Sequence, residues 1–149
     1  MERRTLNTLV VDSSVVVKWY VIEEFRSEAL AIRDSYLNGM FKLAAPNLMI
    51  YEVINAVRNS RKNIQPEKLK AICESITKYG FDLYELKGEY ANLAIDIAIE
   101  NNITVYDASY VALAKYLDTI LYTSDTKLLQ NLKEKYKTKV KHLKEYKTS

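Results

Sequence analysis

Val10-Val11-Asp12-Ser13-Ser14 is the stretch on which the reading of this chain turns. An apolar run from Leu9 ends in a carboxylate, and a second apolar run, Val15-Val16-Val17, follows two serines later. The same arrangement, a carboxylate where a strand-like run meets a helix-like run, recurs twice. It is found in Thr104-Val105-Tyr106-Asp107-Ala108-Ser109 and in Tyr122-Thr123-Ser124-Asp125-Thr126. In an open α/β sheet, ligands bind in the crevice outside the carboxyl ends of the strands, so side chains at such junctions converge in space. Three acids gathered there raise each other's pKa unless a cation neutralises them. Hard ions such as Mg²⁺ take oxygen ligands, often one or two carboxylates with water and phosphate. Asp12, Asp107 and Asp125 therefore point to metal-dependent phosphate chemistry.

Working outward, strands and helices alternate. Leu9 to Asp12 reads as a buried strand. Ser13 to Val21 is ambiguous: three consecutive valines favour a strand, while the position after a carboxylate turn favours a helix. Residues 24–38 are helical by period, with Phe25, Ala29, Ile32 and Tyr36 on one face. Residues 41–45 form a short strand. Pro46 is placed as a first helical residue of a helix running to about Ser60, and Pro66 opens another that stops near Gly80. Residues 81–86 alternate like a strand, and 87–101 are helical with Tyr90, Ala94 and Ile97 apolar. Helices follow at 107–117 and 126–136, and strands at 119–123 and 139–143. Gly39 and Gly80 fit helix C′ positions. The alternation predicts one α/β domain, residues 1–149, with a mostly parallel sheet between helices.

Composition narrows the chemistry. The chain has 149 residues, 48% hydrophobic and 28% charged, which suits a globular domain with a proper core. Its apolar runs are far short of the ~18–20 residues of a membrane span. Behind Met1-Glu2-Arg3-Arg4 there is no apolar signal-like region, so a cytoplasmic residence is expected. One cysteine, Cys73, excludes an internal disulfide framework, and with one histidine it excludes a zinc site built on Cys and His. Cys73 is expected to be packed and inert. His142 stands in a lysine-rich tail far from any nucleophile-like motif, which removes triad mechanisms. Three scattered glycines make no phosphate loop. The net charge of +3 is uneven: lysines 127, 133, 135, 137, 139, 141, 144 and 147 face only Glu134 and Glu145. Arg58, Arg61 and Lys62 form a second basic cluster. Such surfaces attract a polyanion, or simply solubilise the fold.

Each acid also has a plainer role. Asp107 and Asp125 are placed to cap the helices that follow them, each worth roughly 0.5–2 kcal/mol. Asp12 is harder to dismiss, because a charge at the end of a buried strand is avoided unless paired or metal-bound. Capping does not exclude ligation, since one oxygen can serve each purpose. Glu52 lies in the Pro46 helix on a stripe with Asn55 and Asn59, and by spacing alone it could face water or a site.

The chain resembles PIN-domain proteins, close to the VapC-type toxin ribonucleases. The resemblance rests on Val11-Asp12-Ser13-Ser14-Val15-Val16-Val17-Lys18-Trp19, then Ala45-Pro46-Asn47 leading to Glu52-Val53-Ile54-Asn55-Ala56. It continues in Tyr106-Asp107-Ala108-Ser109-Tyr110-Val111-Ala112-Leu113-Ala114 and ends in Tyr122-Thr123-Ser124-Asp125. What it implies is a PIN-like three-layer fold with a five-stranded sheet and a Mg²⁺-dependent endoribonuclease, with Mn²⁺ as a substitute. Asp12, Glu52, Asp107 and Asp125 then correspond to the family's acidic quartet. Asp12 and Asp125 would be the main metal ligands, Asp107 would bind metal or its water, and Glu52 would hold a second metal or orient water. Residues 13–21 should be helix and Glu52 should face the site. Ser14, Thr123 and Asn55 are expected to support the carboxylates, and Lys18, Arg58, Arg61 and Lys62 to touch RNA phosphates. Trp19 and the tyrosines belong mainly to core or interface. Homodimerisation and silencing by a small antitoxin protein are the expected partners. Two other readings stay open. One is a haloacid-dehalogenase-like phosphatase using Asp12, although the second Asp of that motif is here Ser14. The other is a non-catalytic PIN-like scaffold or RNA-binding module.

Overall fold

The computed structural model describes residues 7–148. Five strands form one sheet: β1 (Thr8–Val11), β2 (Lys42–Pro46), β3 (Asp82–Tyr84), β4 (Leu121–Thr123) and β5 (Val140–His142). Their order is β3-β2-β1-β4-β5, and every neighbouring pair is parallel. The helices are α1 (Ser13–Val16), α2 (Arg26–Leu37), α3 (Leu48–Ser60), α4 (Pro66–Lys78), α5 (Gly88–Asn101), α6 (Val105–Tyr116), α7 (Thr126–Asn131) and α8 (Glu134–Lys137). A parallel sheet covered by helices needs strands that are apolar throughout. Val10, Val11, Leu43, Ala44, Ala45 and Leu121 are accordingly buried.

The chain order creates a switch point. From β1 the chain moves outward through β2 to β3, then returns to the other side of β1 as β4 and β5. The crevice between the ends of β1 and β4 is where ligands bind in such sheets. Asp12 directly follows β1, and Asp125 lies two residues beyond β4.

Several expectations need correction. The segment before Asp107 is not a strand: α5 ends at Asn101, Asn102 turns the chain in the left-handed region (φ 51°), and α6 starts at Val105. Asp107 does not cap this helix. Thr104 does, accepting from the Asp107 backbone N at 3.0 Å. The Thr104-x-x-Asp107 spacing is a capping-box signature legible in the sequence. Pro46 closes β2 rather than opening α3, and is paired with Tyr84. Proline cannot donate to a ladder, and the next residue does so instead, Asn47 N donating to Tyr84 O at 3.0 Å. The long helix expected over 126–136 is two short ones, α7 and α8, separated at Leu132, which has extended backbone (ψ 138°). Cys73 is only half-buried.

Other expectations hold. Gly39 follows the Asn38 C-cap of α2 at φ 77°, where a side chain would be strained. Of the ambiguous residues 13–21, 13–19 are helical, α1 running into a 3₁₀ turn at Val17–Trp19, while Tyr20 and Val21 lie in the turn beyond it. Trp19 is a core residue: its Nε1 donates to Ala29 O at 2.9 Å and its ring stacks on Phe81 at 5.8 Å.

Candidate active site

Asp12 leaves β1 with extended backbone and caps α1. Its Oδ1 accepts from Ser14 N at 3.0 Å and from the Ser14 hydroxyl. The Ser14 hydroxyl oxygen in turn accepts from Ser124 N at 3.0 Å, tying the β1 end to the β4 end. Parallel pairing of Val10 with Leu121 and Val11 with Tyr122 sets this register. Thr123 is fully buried; its hydroxyl hydrogen-bonds Asp12 and accepts from Asp125 N at 3.0 Å. Asp125 caps α7, its Oδ1 accepting from Leu128 N at 3.0 Å. It therefore has both the capping role and a second oxygen for other use.

The other two acids come from helices. Glu52 projects from α3 and its Oε1 accepts from the Tyr110 hydroxyl at 2.5 Å. Ser13 is a second hydroxyl partner of Glu52. Tyr110 is one turn beyond Asp107 on α6, so one helix supplies an acid and the clamp on another acid. Tyr110 was not recognisable as a site residue from sequence. The only signal is its i+3 spacing from Asp107 in a helix whose middle is otherwise apolar.

Electrostatics join the four. Asp12 is only 6% exposed, and burial pushes its carboxyl up to about 6 against the hydroxyls of Ser14 and Thr123, with a further upward push from Asp125. Burial and then Asp125 raise Asp107. Burial raises Glu52, and Asp107 adds to it. Among the described residues no lysine or arginine counters any of these three shifts. Burial and the neighbouring Glu52 also push the Tyr110 phenol well up, so it stays a donor.

This is an all-oxygen donor set with uncompensated negative charge, which suits a hard dication and not a soft one. Among the described residues no three acidic, His or Cys side chains stand close enough to ligate one ion together.

The remaining predicted residues are placed less centrally. Lys18 is turned inward and buried, its Nζ 3.1 Å from Glu23 Oε1, so its charge is committed away from solvent. Asn55 is exposed on the outer side of α3, and Glu52 is held by Tyr110 and Ser13 instead. Arg58, Arg61 and Lys62 are exposed at the far end of α3. Arg58 is about 9 Å along the axis from Glu52. The lysine-rich tail is partly neutralised, with Lys135 on Glu100 at 2.8 Å, Lys137 on Glu134 at 3.4 Å and Lys139 on Asp118 at 2.6 Å. No described helix is long and apolar enough to cross a membrane.

Comparison with known proteins converges on one family. A PIN-domain family profile matches residues 9–135. The chain is 32% identical over 127 residues to Ribonuclease VapC3 of Pyrobaculum aerophilum, covering 82% of this chain and 92% of that protein. FitAcB from Neisseria gonorrhoeae superposes with a TM-score of 0.66 at 15% identity, over 93% of this chain and 99% of that one. A toxin–antitoxin complex from Klebsiella pneumoniae superposes with a TM-score of 0.59 at 14% identity, over 80% and 88%. These two likenesses are of fold. The acids at the switch point, the sheet order and the match over residues 9–135 agree, and the chain belongs to the PIN-domain family.

Proposed function

We propose that this chain is a metal-dependent endoribonuclease of the VapC type, one PIN unit throughout, held in check by a small antitoxin protein. The observation that carries the reading is the electrostatically linked quartet Asp12, Glu52, Asp107 and Asp125, with no basic neighbour among the described residues to offset it. Its likeness to a ribonuclease supports RNA as substrate, and a fold neighbour that is a toxin–antitoxin complex supports the partner. The phosphatase reading has no counterpart in these likenesses. A cytoplasmic homodimer belongs to the same reading.

In this reading Asp12 and Asp125 would hold Mg²⁺, or Mn²⁺ in its place. Asp107 would hold one of the ion's waters rather than the ion itself. When bound, such an ion would supply a water of lowered pKa and Lewis-acid polarisation of a phosphoryl oxygen. Glu52 keeps one oxygen on Tyr110 and offers the other to the attacking water, accepting its proton. The burial that raises Glu52 makes it a better base than an exposed carboxylate. Ser14 and Thr123 fix Asp12 and the β4 end so that no reorganisation is needed when the phosphate arrives. Arg58, Arg61 and Lys62 draw the backbone of the RNA along α3.

The test is cleavage of a structured RNA pool by protein freed of any bound partner, with Mg²⁺, with Mn²⁺ and with EDTA. Cutting that needs the metal and is lost in Asp12→Ala and Asp125→Ala supports the reading. Cutting that survives both substitutions, or a protein that binds no metal and cuts nothing, overturns it.

A further inference from the structure

We propose that the segment after β5 is a clasp that acid opens, with His142 as its trigger. The inference is independent of the nuclease reading and concerns the β5 edge of the sheet. His142 is the sole histidine of the chain and is only 7% exposed. It ends β5 and caps a 3₁₀ turn at Leu143–Glu145. Its Nδ1 accepts from Lys144 N at 2.9 Å, and its own backbone N donates to Glu145 Oε2 at 3.1 Å. A backbone N–H can only donate, so Nδ1 must carry a lone pair and the ring must be neutral, with its proton on Nε2. An imidazolium has no acceptor. Protonation and this cap therefore exclude each other.

Two other segments depend on the same ring. Phe25 stands edge-on to it, with centroids 4.9 Å apart and planes at 76°. Phe25 holds φ 63°, a left-handed backbone that a bulky side chain rarely adopts, and it leads directly into α2. Beyond the turn, the Tyr146 hydroxyl donates to Ser35 Oγ on α2 at 2.9 Å. The Tyr146 ring stands edge-on to Tyr122 at 5.4 Å and to Phe41 at 6.5 Å. One neutral imidazole thus packs on the entry to α2 and caps the turn that carries Tyr146 onto that helix.

The surroundings oppose a proton there. Burial holds the ring below its ordinary value of 6.5, and Lys144 and Lys18 push the same way against Glu145 and Glu24. Lys144 and Glu145 stand on its own turn, Lys18 reaches it from the turn after α1, and Glu24 from the segment before α2. β4 sets the uncharged Thr123 opposite it, and α7 and α8, which also border β5, supply none of these leading charges. Glu145 is already spent on the His142 backbone. The folded segment refuses a proton that the opened segment accepts, so the clasp is closed above pH 6.5 and loosens as pH falls through the folded midpoint. That sense is opposite to the one a raised carboxyl such as Asp12 imposes.

The test uses untagged, ¹⁵N-labelled wild type and His142→Asn in EDTA between pH 5 and 8. Asparagine places an amide oxygen close to where Nδ1 stands, which retains the cap without a titrating proton. Long-range ¹H–¹⁵N spectra report the tautomer and midpoint of the one imidazole. Amide exchange, corrected for the intrinsic effect of pH, reports opening at Lys144 and Tyr146, with Val10 in β1 as the global reference. The expected ring is protonated on Nε2 at pH 7.5. Protection of Lys144 and Tyr146 should fall up to about 10-fold for each pH unit between 6.5 and a lower midpoint, while Val10 holds. His142→Asn should keep its protection throughout. A proton on Nδ1, or a midpoint at or above 6.5, overturns the proposal. So does protection that stays constant while the ring titrates, that falls equally in His142→Asn, or that falls equally at Val10, which marks global unfolding. Should His142→Asn not fold, the wild-type spectra and exchange decide alone.

Discussion

The two halves of the acidic site are built differently. Asp12 and Asp125 sit at strand ends, each bound to the backbone of the helix that follows and both linked through Thr123. Glu52 and Asp107 project from helices, and Glu52 is clamped by a tyrosine 58 positions away in the chain. The strand pair is set by sheet register, which is hard to change without slipping whole strands. The helix pair depends on how α3 and α6 pack, and both acids are only half-buried. In the proposed mechanism the strand pair holds charge and the helix pair handles water.

That contrast can be broken in order of effect. Asp12→Asn retains the cap and the shape but removes the charge. It should lower metal-dependent cleavage on the order of 10³-fold or more, while Glu52→Gln, on the helix side, should cost roughly 10²-fold in kcat, the low end for losing a general base. Single-turnover kinetics on one cleaved oligoribonucleotide decides between them. Equal losses would remove the distinction drawn here.

The next effect is on stability and has the opposite sign for the same substitution. The Asp12 carboxyl titrates at about 6 in the folded protein against 3.8 for the ordinary group. Between those values the folded state holds more protons than the unfolded one, so stability falls as pH rises. The difference corresponds to at most about 3 kcal/mol lost by pH 7 in metal-free protein. Thermal melts in EDTA from pH 4 to 7.5 should show that decline. Asp12→Asn should flatten it and melt higher than wild type at pH 7.5. Added Mg²⁺ should raise the wild-type melting temperature and leave Asp12→Asn unmoved, since only a ligand that binds the folded state stabilises it.

The smallest effect concerns the clamp on the helix side. Tyr110→Phe removes the donor to Glu52 and keeps the ring in the core. Stability should drop by about 1 kcal/mol, the usual worth of one hydrogen bond. That bond holds the Glu52 pKa down. Without it the acidic limb of the pH–rate profile should move to higher pH, a shift that mere loosening of α6 would not produce.

Much of this was legible in the chain. Val10-Val11-Asp12 and Tyr122-Thr123-Ser124-Asp125 declare strand ends followed by helix caps, because apolar runs and short polar turns act locally. The third junction was misread because β-branched Thr104 and Val105 look like strand residues. The Asn102 turn and the Thr104 cap make them the start of a helix packed on α5. Pro46 was misplaced by one element, since a proline is tolerated both at a helix start and at a strand end, and only the partner strand chooses.

The sequence by itself determined the alternation of strands and helices, the apolar strands that must be buried, and the acids at β1 and β4. These follow from local periodicity and turn chemistry, which need no knowledge of distant residues. Only the tertiary structure decided that Glu52 turns toward the acids and is held by Tyr110, that Lys18 is spent on Glu23, and that Tyr51 and Tyr106 share a cleft. A helix shows which residues share a face, but which face meets the site depends on packing against elements far away in the chain.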